Sequence, residues 1–176
     1  EGSVVDIFKN SIGKFRVIMS CDIERDSLQD LEVGNIPKLQ ALSLHNSTVY
    51  RWNRPCYGVT EGRPHLRIEN RYIPAGPTTM DEVTNFAFWV GLMKGRPKNC
   101  DDIASVMEFK DAKSNFIKAS RTGKESVMRW MGEQIPVREL IIKHLQPIAR
   151  EGLVKAGIDT IDIDRYLSII ERRAIG

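Results

Sequence analysis

Four side chains that can bind ions occupy alternate positions in one short stretch of the sequence: His65, Arg67, Glu69 and Arg71. Because alternate residues of a β-strand share a face, a strand here would bring all four together and turn Leu66 and Ile68 the other way. Guanidinium groups bind phosphate or carboxylate through paired hydrogen bonds, and a carboxylate among them can hold Mg²⁺ beside phosphate oxygens. The pattern therefore indicates a candidate site for a phosphorylated ligand and a metal ion.

The same alternation has a simpler interpretation, because half-exposed sheets often carry cross-strand ion pairs on their solvated face. A third interpretation comes from Tyr50, Arg51 and Trp52, since aromatic rings beside arginine are typical of surfaces that stack single-stranded nucleic acid. The net charge of +3, from 26 Lys and Arg against 23 Asp and Glu, is small for that role, so we expect no nucleic-acid partner. The pattern alone does not choose between the solvated face and the ligand site.

The elements around these residues predict an α+β fold in a single domain over residues 1–176. Residues 46–54 and 65–73 are rich in types that favour strands, and Pro55 and Gly58 follow the first of them. The segment between the two is too short for a helical crossover, which parallel strands require. We therefore expect an antiparallel hairpin packed by helices.

The strongest helix signal follows the second strand. Thr78 with Asp81 three residues later has the spacing of a capping box, and Gly95 is the expected end of that helix. Its content is apolar almost all round, so we expect a central helix with Phe86, Phe88 and Trp89 in the core. Farther on, an apolar stripe over residues 137–156 predicts a long helix that is kinked at Pro147, with His144 as a core or boundary histidine.

Composition excludes several classes of protein. The chain is 41% apolar and 28% charged, which is typical of a globular protein. The longest apolar run, residues 86–93, is far shorter than the roughly 20 residues of a spanning helix, so we expect no membrane partner. The cysteines, Cys21, Cys56 and Cys100, are widely spaced and odd in number, which predicts neither a disulfide framework nor a zinc knuckle. We expect a cytoplasmic protein.

Three short motifs then occur in an order that is known from one enzyme family. They are Arg54-Pro55 at the end of the first predicted strand, Ile68-Glu69-Asn70-Arg71 in the second, and the spaced set Asn115, Ala119, Arg121 and Gly123. With these motifs, the chain resembles the glutamate–cysteine ligase family of carboxylate–amine ligases, and a bacterial branch of it in particular. The similarity continues through residues 138–153 and 165–173, so it covers nearly the whole chain.

The resemblance implies a glutamine-synthetase-like fold, in which an antiparallel sheet backed by helices cups ATP, Mg²⁺ and glutamate. The implied reaction phosphorylates the γ-carboxylate of glutamate and joins it to an amine, with cysteine as the expected acceptor. The product would be γ-glutamylcysteine, which belongs to glutathione biosynthesis. By the same resemblance, Glu69 would bind Mg²⁺, Arg71 and Arg54 would be catalytic, and Arg54, Arg67 and Arg121 would contact the cofactor.

The chain also departs from the family pattern. Trp52 stands where many relatives have an acidic residue, which argues against a metal ligand on the first strand. The family's amino-terminal half, with further metal and nucleotide ligands, has no counterpart here, so we expect a carboxy-terminal portion with little activity alone. Its expected partners are the missing half or a second copy. The alternative is a non-catalytic interaction or regulatory module derived from the same fold.

Overall fold

A computed structural model describes residues 3–15, 18–23, 26–48 and 52–176, and the chain divides into two compact units, Glu1–Pro74 and Ala75–Gly176. Helices and antiparallel hairpins occur together, so the predicted α+β class is confirmed. The single domain and the glutamine-synthetase-like fold stay predictions. Within the described ranges, no helix is both long and apolar enough to cross a bilayer.

The first unit combines short helices with a hairpin. In chain order its elements are α1 (Val4–Lys14), α2 (Ser27–Glu32), α3 (Gln40–Thr48), β1 (Asn53–Thr60) and β2 (Arg63–Asn70). Ser3 and Asp6 form a capping box that starts α1, and the Asp26 carboxylate caps α2 by accepting from the backbone N–H of Leu28 at 2.8 Å. Polar side chains that accept the free N–H groups of a first helical turn thus set both starts.

The hairpin is present, but its predicted boundaries are wrong. The expected strands 46–54 and 65–73 are observed as Asn53–Thr60 and Arg63–Asn70, because α3 continues through residues 45–48 and the chain reverses at Glu61-Gly62. Both turn residues have positive φ, 50° and 74° respectively. A two-residue turn of this kind matches the right-handed twist of paired strands, and it allows the strands to extend to the turn.

The second unit is mostly helical and carries a smaller hairpin. Its elements are α4 (Thr79–Gly95), α5 (Ile103–Val106), α6 (Phe109–Thr122), β3 (Val127–Trp130), β4 (Glu133–Pro136), α7 (Val137–Glu139), a π-helical segment (Leu140–Leu145), α8 (Gln146–Lys155) and α9 (Thr160–Ile175). As predicted, Thr78 and Asp81 form the capping box of α4, and that helix ends at Gly95. The main buried cluster joins α4, α8 and α9 through Ala87, Ala149, Leu153, Ile163 and Leu167.

Small residues, not aromatic ones, make the closest contact of α4. A Cβ atom at Gly91, Gly95 or Gly152 would overlap the backbone of the opposite helix, so α4 and α8 pack with their main chains in direct contact. Phe86 lies on the other side of α4 and is 66% exposed, which corrects its prediction as a core residue. Phe88 does pack against the buried cluster. Hydropathy predicts that the bulky side chains of α4 are buried, but the glycines determine which face of α4 packs against α8.

The helix predicted over residues 137–156 contains a π-helical segment directly before Gln146 and Pro147, and its kink at Pro147 stays a prediction. Residues Leu140–Leu145 form a π-helix, in which the N–H of Gln146 bonds to the carbonyl of Ile141 directly before the proline. Proline has no N–H to continue the ladder, and π-turns commonly accommodate such interruptions. His144 is exposed in this segment, so its prediction as a core or boundary histidine is wrong.

Candidate functional site

The predicted row of charged side chains lies on one face of the first hairpin. The register pairs Arg54 with Glu69, Cys56 with Arg67 and Gly58 with His65, so these alternate residues share one face. Residues of α3 contact this face. The apolar residues Leu66 and Ile68, which point the other way, are 77% and 50% exposed. Within this unit α3 covers part of the charged face, whereas Arg67 on the same face is exposed. The choice between a solvated face with a cross-strand ion pair and a ligand site stays a prediction.

Glu69 is held between two arginines. Its Oε2 lies 2.5 Å from Nε of Arg54 on the opposite strand, and its Oε1 lies 3.1 Å from Nε of Arg71 two residues along the chain. The backbone N–H of Arg71 donates to the carbonyl of Trp52 at 2.8 Å, which extends the pairing beyond β2. The side chains of Arg54, Glu69 and Arg71 are 15%, 34% and 30% exposed, so the cluster is partly screened from water.

The electrostatics of the cluster follow from these contacts. The hydrogen bond from Arg54 is the largest influence on Glu69, and with the bond from Arg71 it holds the pKa of Glu69 below its ordinary value. Burial disfavours the charged form of Arg54, but its hydrogen bond to Glu69 and the negative charge there raise its pKa overall. The Arg54 guanidinium and the Glu69 carboxylate are therefore both charged near neutral pH, and in the cluster two guanidinium groups surround one carboxylate.

Residues of α3 fix Arg54 from the other side. Nη1 of Arg54 donates to the carbonyl of Asn46, and the Asn46 side-chain amide donates to the carbonyl of Pro55 at 3.0 Å. Tyr57 anchors the segment before α3, since its hydroxyl donates to the carbonyl of Pro37 at 2.7 Å. The sequence did not single out Asn46, the first residue of the predicted strand 46–54, although a side-chain amide can both donate to and accept from backbone groups.

A groove of about 410 Å³ lies between α3 and the hairpin. Its lining includes the cationic residues Lys38, Arg54 and Arg67 together with Gly58. Sequence reasoning missed Lys38, whose position before α3 carries no recognisable signal. Gly58 did have a signal, because glycine inside a strand often marks a close approach of another group.

Arg121 belongs to the second unit. It is exposed in the last turn of α6, and the spaced motif of Asn115, Ala119, Arg121 and Gly123 has a clear local role. The side chain of Asn115 exchanges two hydrogen bonds with the backbone of Arg129 in β3, at 2.7 and 2.8 Å. Gly123 ends α6 with φ of 50°. The motif thus joins α6 to the second hairpin, and Arg121 is the cation among its four residues.

The remaining sequence candidates are dispersed. Tyr50 and Arg51, part of the suggested stacking surface, lie outside the described residues, and Trp52 is 55% exposed. His45 is buried in α3, while Nε2 of His65 lies 3.0 Å from Nη1 of Arg67. Arginine can only donate, so His65 accepts in that contact. The side chain of Arg67, which the resemblance assigns to the cofactor, contacts His65.

The donor set fits an oxyanion better than a metal ion. Each oxygen of Glu69 already accepts from an arginine, and the described ranges contain no group of three or more His, Cys, Asp or Glu residues that could hold a metal. Mg²⁺ prefers oxygen ligands in near-octahedral geometry, usually carboxylates with phosphate oxygens and water. On their own, the described residues do not fit Mg²⁺, and the Glu69 metal site stays a prediction from the resemblance.

Comparison with known proteins adds no assignment: no family model, no curated protein and no solved structure matches this chain.

Proposed function

We propose that this chain forms part of an ATP-dependent carboxylate–amine ligase that joins the γ-carboxylate of glutamate to an amine, with cysteine as the acceptor. The observation that carries this proposal is the Arg54–Glu69–Arg71 cluster on one face of the first hairpin. The three residues belong to two motifs of the family that the sequence resembles, and the register makes neighbours of residues that are 15 positions apart.

The chemistry requires positive charge in a fixed position. A γ-carboxylate oxygen of glutamate attacks the terminal phosphorus of ATP, the bond to the bridging oxygen breaks, and ADP leaves. The amine of the acceptor then attacks the acyl carbon, inorganic phosphate leaves with the bonding electrons, and the amine loses a proton. Fixed guanidinium groups stabilise the charge that develops on the phosphoryl oxygens in both steps.

Arg54 and Arg71 would supply that charge. Arg54 is oriented by Glu69 and by the carbonyl of Asn46, and Arg71 is oriented by Glu69. Each guanidinium has five N–H donors, so both can still bind a ligand. Arg67 and Arg121 would contact the nucleotide, as the resemblance implies.

A second candidate function is a non-catalytic interaction or regulatory module. The engagement of both Glu69 oxygens favours it, because a carboxylate that accepts from two arginines is typical of a structural ion pair. In that case the arginines hold the hairpin together and bind no phosphate.

Calorimetry can separate the two functions. The protein is prepared with residues 1–176 joined to the amino-terminal strands that the resemblance expects, and ATP is titrated in the presence of Mg²⁺ and glutamate. We expect binding in the wild type, ADP release once cysteine is added, and loss of both in Arg71→Gln. Glu69→Ala tests the metal prediction, since a ligand to Mg²⁺ would make binding depend on much higher metal concentrations.

The matched control is Arg63→Gln, an arginine on the same face of the same hairpin, at the turn end and away from the cluster. We expect its nucleotide affinity and turnover to equal those of the wild type. Absence of nucleotide binding in the wild-type protein would reject the ligase proposal and favour the non-catalytic module.

A further inference from the structure

The groove between α3 and the first hairpin is strongly asymmetric in charge. Its described lining contains three cationic side chains, Lys38, Arg54 and Arg67, and no carboxylate. Glu69 lies beside Arg54 and neutralises part of its charge. Lys38 and Arg67 form no ion pair with another described residue, although Asp30 lines a neighbouring cavity together with Lys38. The groove wall therefore presents two cations that are not paired within the described part of the chain.

Both of these cations have unused hydrogen-bonding capacity. The Lys38 side chain is exposed, and no hydrogen bond or ion pair joins its ammonium to another described residue. The side-chain contact of Arg67 uses only Nη1, which donates to Nε2 of His65 at 3.0 Å. An ammonium has three donors and a guanidinium five, so most of these N–H groups remain available to an anion.

The position of the Arg67 guanidinium depends on Gly58. A Cβ atom at residue 58 would lie 2.8 Å from Nη1 of Arg67 and 3.0 Å from the His65 ring, so the end of the Arg67 side chain would have to shift and the ring would have to move by a few tenths of an ångström. The absence of a side chain at this point therefore allows Arg67 to lie across β1 toward the groove. This close approach at one strand position is an observation independent of the charges.

On the other side of the groove, the backbone next to Lys38 adopts an unusual conformation. Leu39 has φ of 49°, a region that residues with a Cβ rarely occupy, and it turns the chain into α3. Such conformations persist where surrounding structure holds them, and they are often found at binding sites. Lys38 thus directly precedes Leu39, whose carbonyl accepts from the backbone N–H of Ser43 in α3 at 3.0 Å.

We propose that this groove binds the phosphate chain of a nucleotide, with Lys38 and Arg67 as direct contacts and the Arg54–Glu69 pair as its fixed wall. The proposal rests on the proposed function for the identity of the anion, and it names the part of the site that holds the phosphates. Cations spaced along a groove match a linear polyanion better than a single carboxylate, because each phosphate meets its own donors.

The test uses inorganic tripolyphosphate, which carries the phosphate chain without the base or the sugar. It is titrated into residues 1–176 by calorimetry in the absence of a metal ion, and circular dichroism verifies folding of each variant. We expect Lys38→Gln and Arg67→Gln each to weaken binding about tenfold, the usual effect of losing a hydrogen bond to a charged group. Lys38→Arg, which keeps the charge, should retain most of the affinity.

Two further variants keep the test specific. Arg63→Gln removes the same charge from the same face outside the groove, and we expect no change in affinity. Gly58→Ala changes no charge but displaces Arg67, and we expect weaker binding. Equal losses in Arg63→Gln and Arg67→Gln would overturn the proposal, because they would indicate a diffuse surface effect. Absence of tripolyphosphate binding in the wild type would overturn it as well.

The outcome is separable from that of the ligase proposal. Groove-dependent binding of tripolyphosphate without ligase turnover would support the anion site and reject the enzyme. Turnover with an unchanged KM for ATP in Lys38→Gln would support the enzyme and reject Lys38 as a phosphate contact.

Discussion

Arg54 and Glu69 are register partners in the first hairpin, and the Nε of one lies 2.5 Å from the Oε2 of the other. Because Glu69 also binds Arg71, this single carboxylate controls the position of two guanidinium groups. The arrangement joins the end of one strand to the segment that follows the other. Any role for the arginines therefore depends on the ionisation of Glu69.

The first prediction concerns pH. The pKa of Glu69 is lowered from its ordinary 4.5 by its arginine partners, so its ionised form stabilises the folded state. That stabilisation is complete above the unfolded-state pKa and is lost as the pH falls through the lower folded-state pKa. We expect Glu69→Gln to be less stable than the wild type near neutral pH, by at most about 1 kcal/mol for a partly exposed pair.

Urea denaturation at a series of acidic pH values checks the direction of this pH dependence. The difference in free energy of unfolding between wild type and Glu69→Gln should be constant above about pH 5 and should shrink on further acidification. A difference that grows in acid would mean that Glu69 is protonated in the folded state and would contradict the ion pairs.

The second prediction concerns the contact between α4 and α8. Gly95→Ala and Gly152→Ala each place a Cβ against backbone atoms of the opposite helix, so the helices must separate. We expect a loss of roughly 1–3 kcal/mol or more in the free energy of unfolding. Gly13→Ala is the matched control, because a Cβ at that helical position meets no other atom within 4 Å. A neutral Gly152→Ala in thermal denaturation would refute the close packing.

The third prediction tests separately the two hydrogen bonds that the Asn115 side-chain amide makes. Asn115→Ala removes both hydrogen bonds to the backbone of Arg129, and we expect a cost of about 1–3 kcal/mol. Asn115→Asp keeps the acceptor for the Arg129 N–H but places a second acceptor oxygen against the Arg129 carbonyl, so amide exchange and not stability is the readout for the retained bond. Amide exchange of Arg129 should accelerate in the alanine variant and much less in the aspartate variant. Equal exchange rates in both would argue against this bond.

The fourth prediction addresses Arg121, which is exposed in the last turn of α6. Its removal should leave stability within about 0.5 kcal/mol, as is usual for surface positions. If it contacts the nucleotide, Arg121→Gln weakens ATP binding by about tenfold, while Lys113→Gln, an exposed cation on the same helix, leaves it unchanged. Matching affinities for the two variants would assign Arg121 to the solvated surface.

The sequence predicted the elements of the candidate site better than their boundaries. Alternation identified the shared face of Arg67 and Glu69, because side chains on a strand repeat every two residues. The first strand was placed too early, since residues 46–50 have strand-favouring types although residues 46–48 continue a helix. Tertiary contacts override such propensities, and a Glu-Gly turn is a weaker signal than Asn-Gly.

Other features have no simple sequence signal. Phe86 is strongly apolar and is therefore expected in the core, yet it is exposed. The buried face of α4 is defined by Gly91 and Gly95, and glycine has a hydropathy close to neutral, so a hydropathy pattern does not identify this face. The contact of Arg54 with α3 depends on where that helix ends. Such relationships arise from packing between elements, so local patterns in one element do not reveal them.

The two-residue turn at Glu61-Gly62 determines which residues of β1 and β2 are partners and therefore share a face. With this turn, residues whose numbers sum to 123 face each other, as Arg54 and Glu69 do. If one residue were inserted and the two-residue turn were kept, β2 would slip by one residue against β1, so that Leu66 and Ile68 would face α3 while Arg67 and Glu69 would face away from it. The electrostatic character of this face is therefore encoded in the length of a loop that contains none of its charges.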